Sequence, residues 1–211
     1  MTIQRHDITG VVLAGGQGQR MGGADKGWIL FREEPLVLHA LRRLEPQVGA
    51  LIINANRELT RYSALGHQVI HDERAEDTTS YEGPLAGVLA AMRVCTTPWM
   101  VTVPCDSPLL PNDLVARMVK AIMQAVPHPT LATAITPGAE GHQIHPVFSL
   151  LHRSLETSLR SYLDGGGRSM HQWLRQEGAL HVPFEDTAPF ANLNTMHELE
   201  ELQSRANNSE L

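Results

Sequence analysis

Long apolar runs are missing from this 211-residue chain: every hydrophobic stretch is broken within a few residues, well short of the ~20 that a bilayer-spanning helix needs. Cysteine is scarce. Cys95 and Cys105 are the only two, which is too few for a disulfide framework and lacks the paired spacing of a metal site, so a reducing compartment is expected. A basic excess is missing too. The chain has 17 Lys and Arg against 23 Asp and Glu, a formal net charge of -6, which argues against binding nucleic acid through whole-molecule charge. No period repeats, and Met1 to Asp7 has no apolar stretch of signal-peptide type behind its charges. These gaps together predict a soluble cytoplasmic monomer with neither nucleic acid nor membrane as partner.

What is present points to a folded enzyme-sized unit. Hydrophobic residues make up 42% and charged residues 19%, too apolar a balance for disorder, and the length suits one domain over 1–211 with a loose tail at 204–211. Ile8 to Ala14 reads as a buried strand stopped by Gly15-Gly16. Ala50 to Asn54, Gln68 to His71, Trp99 to Val103, Leu131 to Ile135 and Val147 to Leu150 read as further strands. Helical spacing covers Pro35 to Leu44, Pro84 to Val94, Asn112 or Asp113 to Gln124, Ser154 to Leu163 and Ser169 to Gln176. Thr195-Met196-His197-Glu198 has the form of a capping box opening a last helix. Strands alternating with helices predict an α/β fold: a mostly parallel sheet covered on both faces. Ligands of such sheets sit beyond the carboxyl ends of the strands. The residues to watch are therefore the glycine loop, Asn54, Asp72 and Asp106.

The densest signal follows the first strand, where residues 13–27 carry six glycines together with Arg20, Asp25 and Lys26. Glycines there let backbone N–H groups turn toward an anion without Cβ collisions, and Arg20 and Lys26 add positive charge for a polyphosphate. The spacing fits neither a Walker loop, since Lys26 precedes Gly27, nor a dinucleotide fingerprint, which would need glycine where Met21 stands. Asp106 emerges where an apolar strand ends in Pro104-Cys105, which suits a metal carboxylate, although an Asp before Ser-Pro also caps turns. Asn54 and Asp72, taken singly, fit turn-forming residues as well as ligands. Cys105 has no base to activate it and reads as packing. His142 and His145 have no third partner for a helical zinc set.

The run Leu-Ala-Gly-Gly-x-Gly-x-Arg-Met-Gly-Gly-x-Asp-Lys at 13–26 resembles the signature of molybdenum cofactor guanylyltransferases, within the glycosyltransferase-A-like nucleotidyltransferases. The similarity continues through Gly83-Pro84-Leu85-Ala86-Gly87, Pro104-Cys105-Asp106-Ser107-Pro108, His145-Pro146-Val147-Phe148 and Asn192-Leu193-Asn194-Thr195, spanning about Ile8 to Leu202. Cytidylyl-transferring relatives usually carry Ala where Gly15 stands. The resemblance implies a single-domain, Rossmann-like three-layer α/β/α sandwich of the nucleotide-diphospho-sugar transferase type. It also implies a nucleotide-binding part at about 8–110 and an acceptor-binding part at about 111–202.

The reaction it implies joins GMP from GTP to molybdenum-bearing molybdopterin and releases pyrophosphate, with Mg²⁺ as cofactor. On the same basis Leu13, Ala14 and Gly15 give GTP backbone contacts and Lys26, Asn54 and Asp72 give side chains, while Asp106 meets both GTP and Mg²⁺. Arg20, Lys26 and Asp106 form the catalytic set. Arg168 or Arg153, with Asn192 and Asn194, are the acceptor candidates, and the segment from His142 to Arg168 is expected to face the pterin. Asn192 and Asn194 are neutral amides where related sugar-nucleotide enzymes use an acid, which argues against a second full metal site. Molybdoenzyme apoproteins or their chaperones are the implied receivers of the product. Two other readings remain open: the same chemistry with CTP or a sugar-phosphate acceptor, and a carrier that binds nucleotide or cofactor without catalysis.

Overall fold

Side-chain alternation in the first strand sets the layers of the molecule. In the computed structural model, which describes residues 2–16, 25–72, 83–139, 141–191 and 198, β1 (Ile8–Leu13) is buried from Ile8 to Val12. Ile8 and Val12 join one apolar cluster and Val11 the other, as a two-residue pleat requires. The chain then runs through the two-residue strands β2 (Leu30–Phe31) and β3 (Glu34–Pro35), α1 (Leu36–Leu44), β4 (Ala50–Asn54), α2 (Leu59–Ser63) and β5 (Gln68–Ile70). It continues with α3 (Pro84–Val94), β6 (Trp99–Pro104), α4 (Leu114–Gln124), β7 (Leu131–Gly138) and β8 (Gly141–His152). α5 (Glu156–Asp164), α6 (Met170–Gln176) and β9 (Leu180–Pro183) follow.

Seven strands form one sheet in the order β5-β4-β1-β6-β8-β7-β9. Every ladder is parallel except the two made by β8. One cluster under the sheet collects Val37, Ala40, Leu41 and Leu44 of α1 with Leu114, Val115, Met118 and Ile122 of α4. On the opposite face lie Leu85, Val88 and Met92 of α3, Leu159 and Leu163 of α5, and Trp173 of α6. The expected three-layer, mostly parallel single domain is what forms. No described helix is long and apolar enough to cross a membrane.

Local chemistry explains most boundaries. Pro84 starts α3 directly after Gly83, whose φ of 75° is open to glycine. Ser169 caps α6 by accepting from the Gln172 N–H. Asp113 occupies the cap of α4, yet its side chain bonds none of the free donors there. The two late strands extend beyond expectation into a long antiparallel pair, with a bulge where Thr133 faces Ser149 but Ala134 faces His145. Pro146, which has no N–H to give a ladder, lies in that bulge.

Register matters most for function. Leu13 pairs with both Asn54 and Pro104, and Asn54 pairs with Ile70. The four strands β5, β4, β1 and β6 thus end in one row, and the residues that follow share one sheet edge.

Candidate active site

The exit of β1 is stitched to its neighbours on both sides: Ala14 N–H donates to the Asn54 carbonyl at 2.7 Å and Cys105 N–H to the Leu13 carbonyl at 3.1 Å. Two groups of side chains converge on this seam. Toward β4 and β5, Asn54 is buried (2% exposed) and its Nδ2 donates to Asp72 Oδ1 at 2.9 Å. Asn56 Nδ2 donates to Asp72 Oδ2 at 2.7 Å and to the Gly15 carbonyl at 3.2 Å, while Asn56 Oδ1 accepts from the Asp72 N–H at 2.9 Å. Gly87 of α3 packs on this group. A Cβ there would lie 2.8 Å from Asn54 Cγ and 3.2 Å from Asp72 Oδ1. Gly87, which in sequence suggests only close helix packing, is what lets α3 approach the two polar side chains.

Toward β6, the backbone makes a single 3-10 turn at Lys26–Trp28. Asp25 caps it, accepting at Oδ1 from the Gly27 N–H at 3.0 Å and from the Tyr62 hydroxyl at 2.6 Å. Burial pushes the Asp25 carboxyl above its ordinary range, with the Tyr62 hydrogen bond pulling the other way. Burial likewise pushes the Tyr62 phenol far up, so it stays a donor. The Tyr62 ring lies 5.1 Å from that of Trp28, which Arg61 covers at 3.9 Å on the indole face. From this braced turn Lys26 reaches across the seam, its Nζ 3.1 Å from Asp106 Oδ2, both side chains partly buried. Cys105 beside it is buried and pushed well up by that burial and by Asp106 and Asp25, so the thiol is inert packing.

The expected residues Leu13, Ala14, Gly15, Lys26, Asn54, Asp72 and Asp106 thus meet at one sheet edge. Arg20, Asn192 and Asn194, the Thr195 capping box and the 204–211 tail lie outside the described residues. The carbonyl of Ala191 accepts from Ser107 Oγ at 3.4 Å, next to Asp106. Arg168 donates to the carbonyls of Leu163 and Gly167, and its own carbonyl lies 3.5 Å from where a Gly83 Cβ would be, against the start of α3. Arg153 is at the other edge: its N–H bonds the Pro98 carbonyl before β6 begins, roughly 20 Å from Asp106 by strand rise. It drops out as an acceptor ligand. Much of the stretch from His142 to Arg168 is core, including Leu150, Leu151, Leu159 and Leu163.

Asn56 and Tyr62 escaped the sequence reading. Asn56 left one signal, its place two residues past Asn54 at the end of β4. Tyr62 left none, because its role depends on a carboxylate 37 positions away.

Among the described residues no three His, Cys, Asp or Glu gather to hold a metal. Asp106, a single carboxylate at the strand end, is of a kind that fits Mg²⁺, which takes one or two carboxylates and draws its other ligands from phosphate and water.

The family model described as a MobA-like NTP transferase domain matches residues 10–180. A curated molybdenum cofactor guanylyltransferase of Cupriavidus metallidurans is 48% identical over 93% of this chain and 95% of its own. Among solved structures, the molybdopterin-guanine dinucleotide biosynthesis protein A of Archaeoglobus fulgidus superposes with a TM-score of 0.72 at 18% identity, covering 95% of this chain and 99% of its own. The 4-diphosphocytidyl-2C-methyl-D-erythritol synthase of Anaerococcus prevotii reaches 0.74 at 9% identity, over 95% and 96%. At those identities the two structures speak for the fold alone.

Proposed function

The chain belongs to the molybdenum cofactor guanylyltransferases, with their MobA-like NTP transferase domain, and from that premise we propose that the seam between β1 and β6 transfers GMP from GTP to molybdenum-molybdopterin. The carrying observation is the Lys26–Asp106 pair, held across the parallel strand ends at 3.1 Å. A terminal phosphate of the pterin attacks the α-phosphorus of GTP; the new P–O bond forms as the bond to pyrophosphate breaks, with no covalent enzyme intermediate. The nucleophile is already an anion, so the chain needs no activating base. Its task is to hold anions together and stabilise charge on the leaving pyrophosphate.

Lys26 and Arg20 supply positive charge to the triphosphate. Asp25 and Tyr62 brace the turn that carries Lys26. Asp106 would hold a Mg²⁺, which when bound neutralises phosphate oxygens and lowers the repulsion between the reactants. Lys26 would turn to phosphate where Asp106 holds the metal. Backbone groups of Leu13, Ala14 and Gly15, with Asn54 and Asp72, take the nucleoside. Arg168, Asn192 and Asn194 are the acceptor ligands in this reading. A soluble cytoplasmic monomer passing its product to molybdoenzyme apoproteins or their chaperones is the setting it implies.

The test is turnover of the full chain with Mg²⁺, molybdenum-bearing molybdopterin and each of GTP, CTP, ATP and UTP, following pyrophosphate and dinucleotide. GTP-selective product is expected. CTP-selective product would overturn the base choice, and tight GTP binding without product would overturn the enzyme.

A further inference from the structure

Asn56 makes three directed contacts within the site, yet it needs no ligand role to explain them. It pairs with Asp72 at two points, donating to Oδ2 at 2.7 Å and accepting from the backbone N–H at 2.9 Å, and its Nδ2 also faces the Gly15 carbonyl at 3.2 Å. A local Asn turn would bond the backbone two residues on; these partners lie 16 and 41 positions away, just after β5 and just after β1. The space is kept for it as well. A Cβ at Gly15 would come within 2.7 Å of Asn56 Nδ2. With Asn54 on the other oxygen, both Asp72 carboxylate oxygens are held, each with one lone pair left to accept a further N–H or O–H.

We propose that Asn56 is the positioning residue for the nucleoside half of the site. It fixes the Asp72 carboxylate and the Gly15 carbonyl relative to each other before GTP arrives, and it acts on the nucleotide only through them. An Asp at a strand exit without such partners would have to be ordered when ligand binds, which costs affinity; Asn56 removes that cost in advance. The inference rests on the reading of Asp72 as a nucleoside ligand.

The experiment measures dissociation constants for GTP and for pyrophosphate, both with Mg²⁺, on the full chain by calorimetry, with melting temperatures alongside. Asn56→Ala is expected to weaken GTP about 10- to 100-fold, to leave pyrophosphate within about twofold, and to melt within a few degrees of the parent. Asn56→Asp, similar in shape but with an acceptor facing Asp72 and Gly15, is expected to bind GTP more weakly than Asn56→Ala, an order that lost packing would not produce. Asp72→Ala is expected to weaken GTP comparably, and the double variant loses less than the sum of the two single losses, because the shared Asp72 arm is already gone. Should Asn56→Ala fail to fold, Asn56→Ser is read the same way. If Asp72→Ala weakens GTP and Asn56→Ala does not, or if the two effects add, the inference falls and the Asp72 reading stands. Equal losses of GTP and pyrophosphate in Asn56→Ala would overturn it too, and an inert Asp72→Ala would remove both.

Discussion

The two halves of the sheet use polar side chains in opposite ways. In the parallel half, β5-β4-β1-β6, they stand just beyond the strand ends and bond one another: Asn54 and Asn56 with Asp72, Tyr62 with Asp25, Lys26 with Asp106. In the half built on β8, they turn inward to carbonyls and rings. Ser149 Oγ donates to the Pro146 carbonyl and Thr133 Oγ1 to that of His145. Thr136 meets His145 Nε2 at 2.8 Å, and the His145 ring stacks on Phe190 at 4.8 Å. Parallel strands that end in one row leave their next residues with no ladder to join, so side chains there are available for a ligand. An antiparallel pair with a bulge consumes its polar groups closing its own gaps. A groove of about 490 Å³ also lies at the amino edge of the sheet, lined by Arg5, Gln47 and Val115, away from this chemistry.

The strongest way to sharpen the contrast is to remove the carboxylate of the pair. Asp106→Ala is expected to lower kcat/KM about 10³-fold or more, measured by pyrophosphate release, with melting nearly unchanged. The reverse holds across the sheet. Phe148, buried against His145 and Phe190, should cost about 3–5 kcal/mol of stability when cut to Ala, read by urea unfolding, while the folded fraction keeps its turnover. Gly87→Ala falls between: its new Cβ meets Asn54 and Asp72, so GTP affinity should drop about tenfold, read by calorimetry. If Gly87→Ala binds GTP normally, the packing of α3 on that group is dispensable.

The smallest effect is one of pH. Burial lowers the His145 pKa from its ordinary 6.5, so the folded state resists the proton that the unfolded chain accepts. Its contribution is therefore intact above about 6.5 and declines as pH falls through 6.5 toward the lower native value. Unfolding free energy should decrease by up to about 1 kcal/mol per pH unit in that window, and His145→Gln should flatten the profile. His152, also lowered by burial, adds the same sign.

Part of this contrast was readable in the residues. β4 and α3 fall on their predicted boundaries, because a β-branched run ending in Asn and a Gly-Pro start are unambiguous local signals. The strand-end positions of Asn54, Asp72 and Asp106 followed from the same logic. α2 did not, since its five residues have no helical apolar stripe, and the buried Tyr62 packs and bonds to residues distant in sequence. The outer part of β8 was missed because His142 and Gln143 are exposed and polar, so alternation carries no sign of a buried face. Asn56 was hidden for a related reason: its value lies in two partners that only the parallel register brings near.

The role of Asp106 at the strand-end seam is tested most directly by single turnover of Asp106→Asn at saturating GTP, Mg²⁺ and molybdenum-molybdopterin, with melting recorded on the same sample. The side chain keeps its shape and loses only its charge. A rate about 10³-fold below the parent at an unchanged melting temperature is predicted. A rate within tenfold of the parent would contradict the assignment of the chemistry to the strand-end seam.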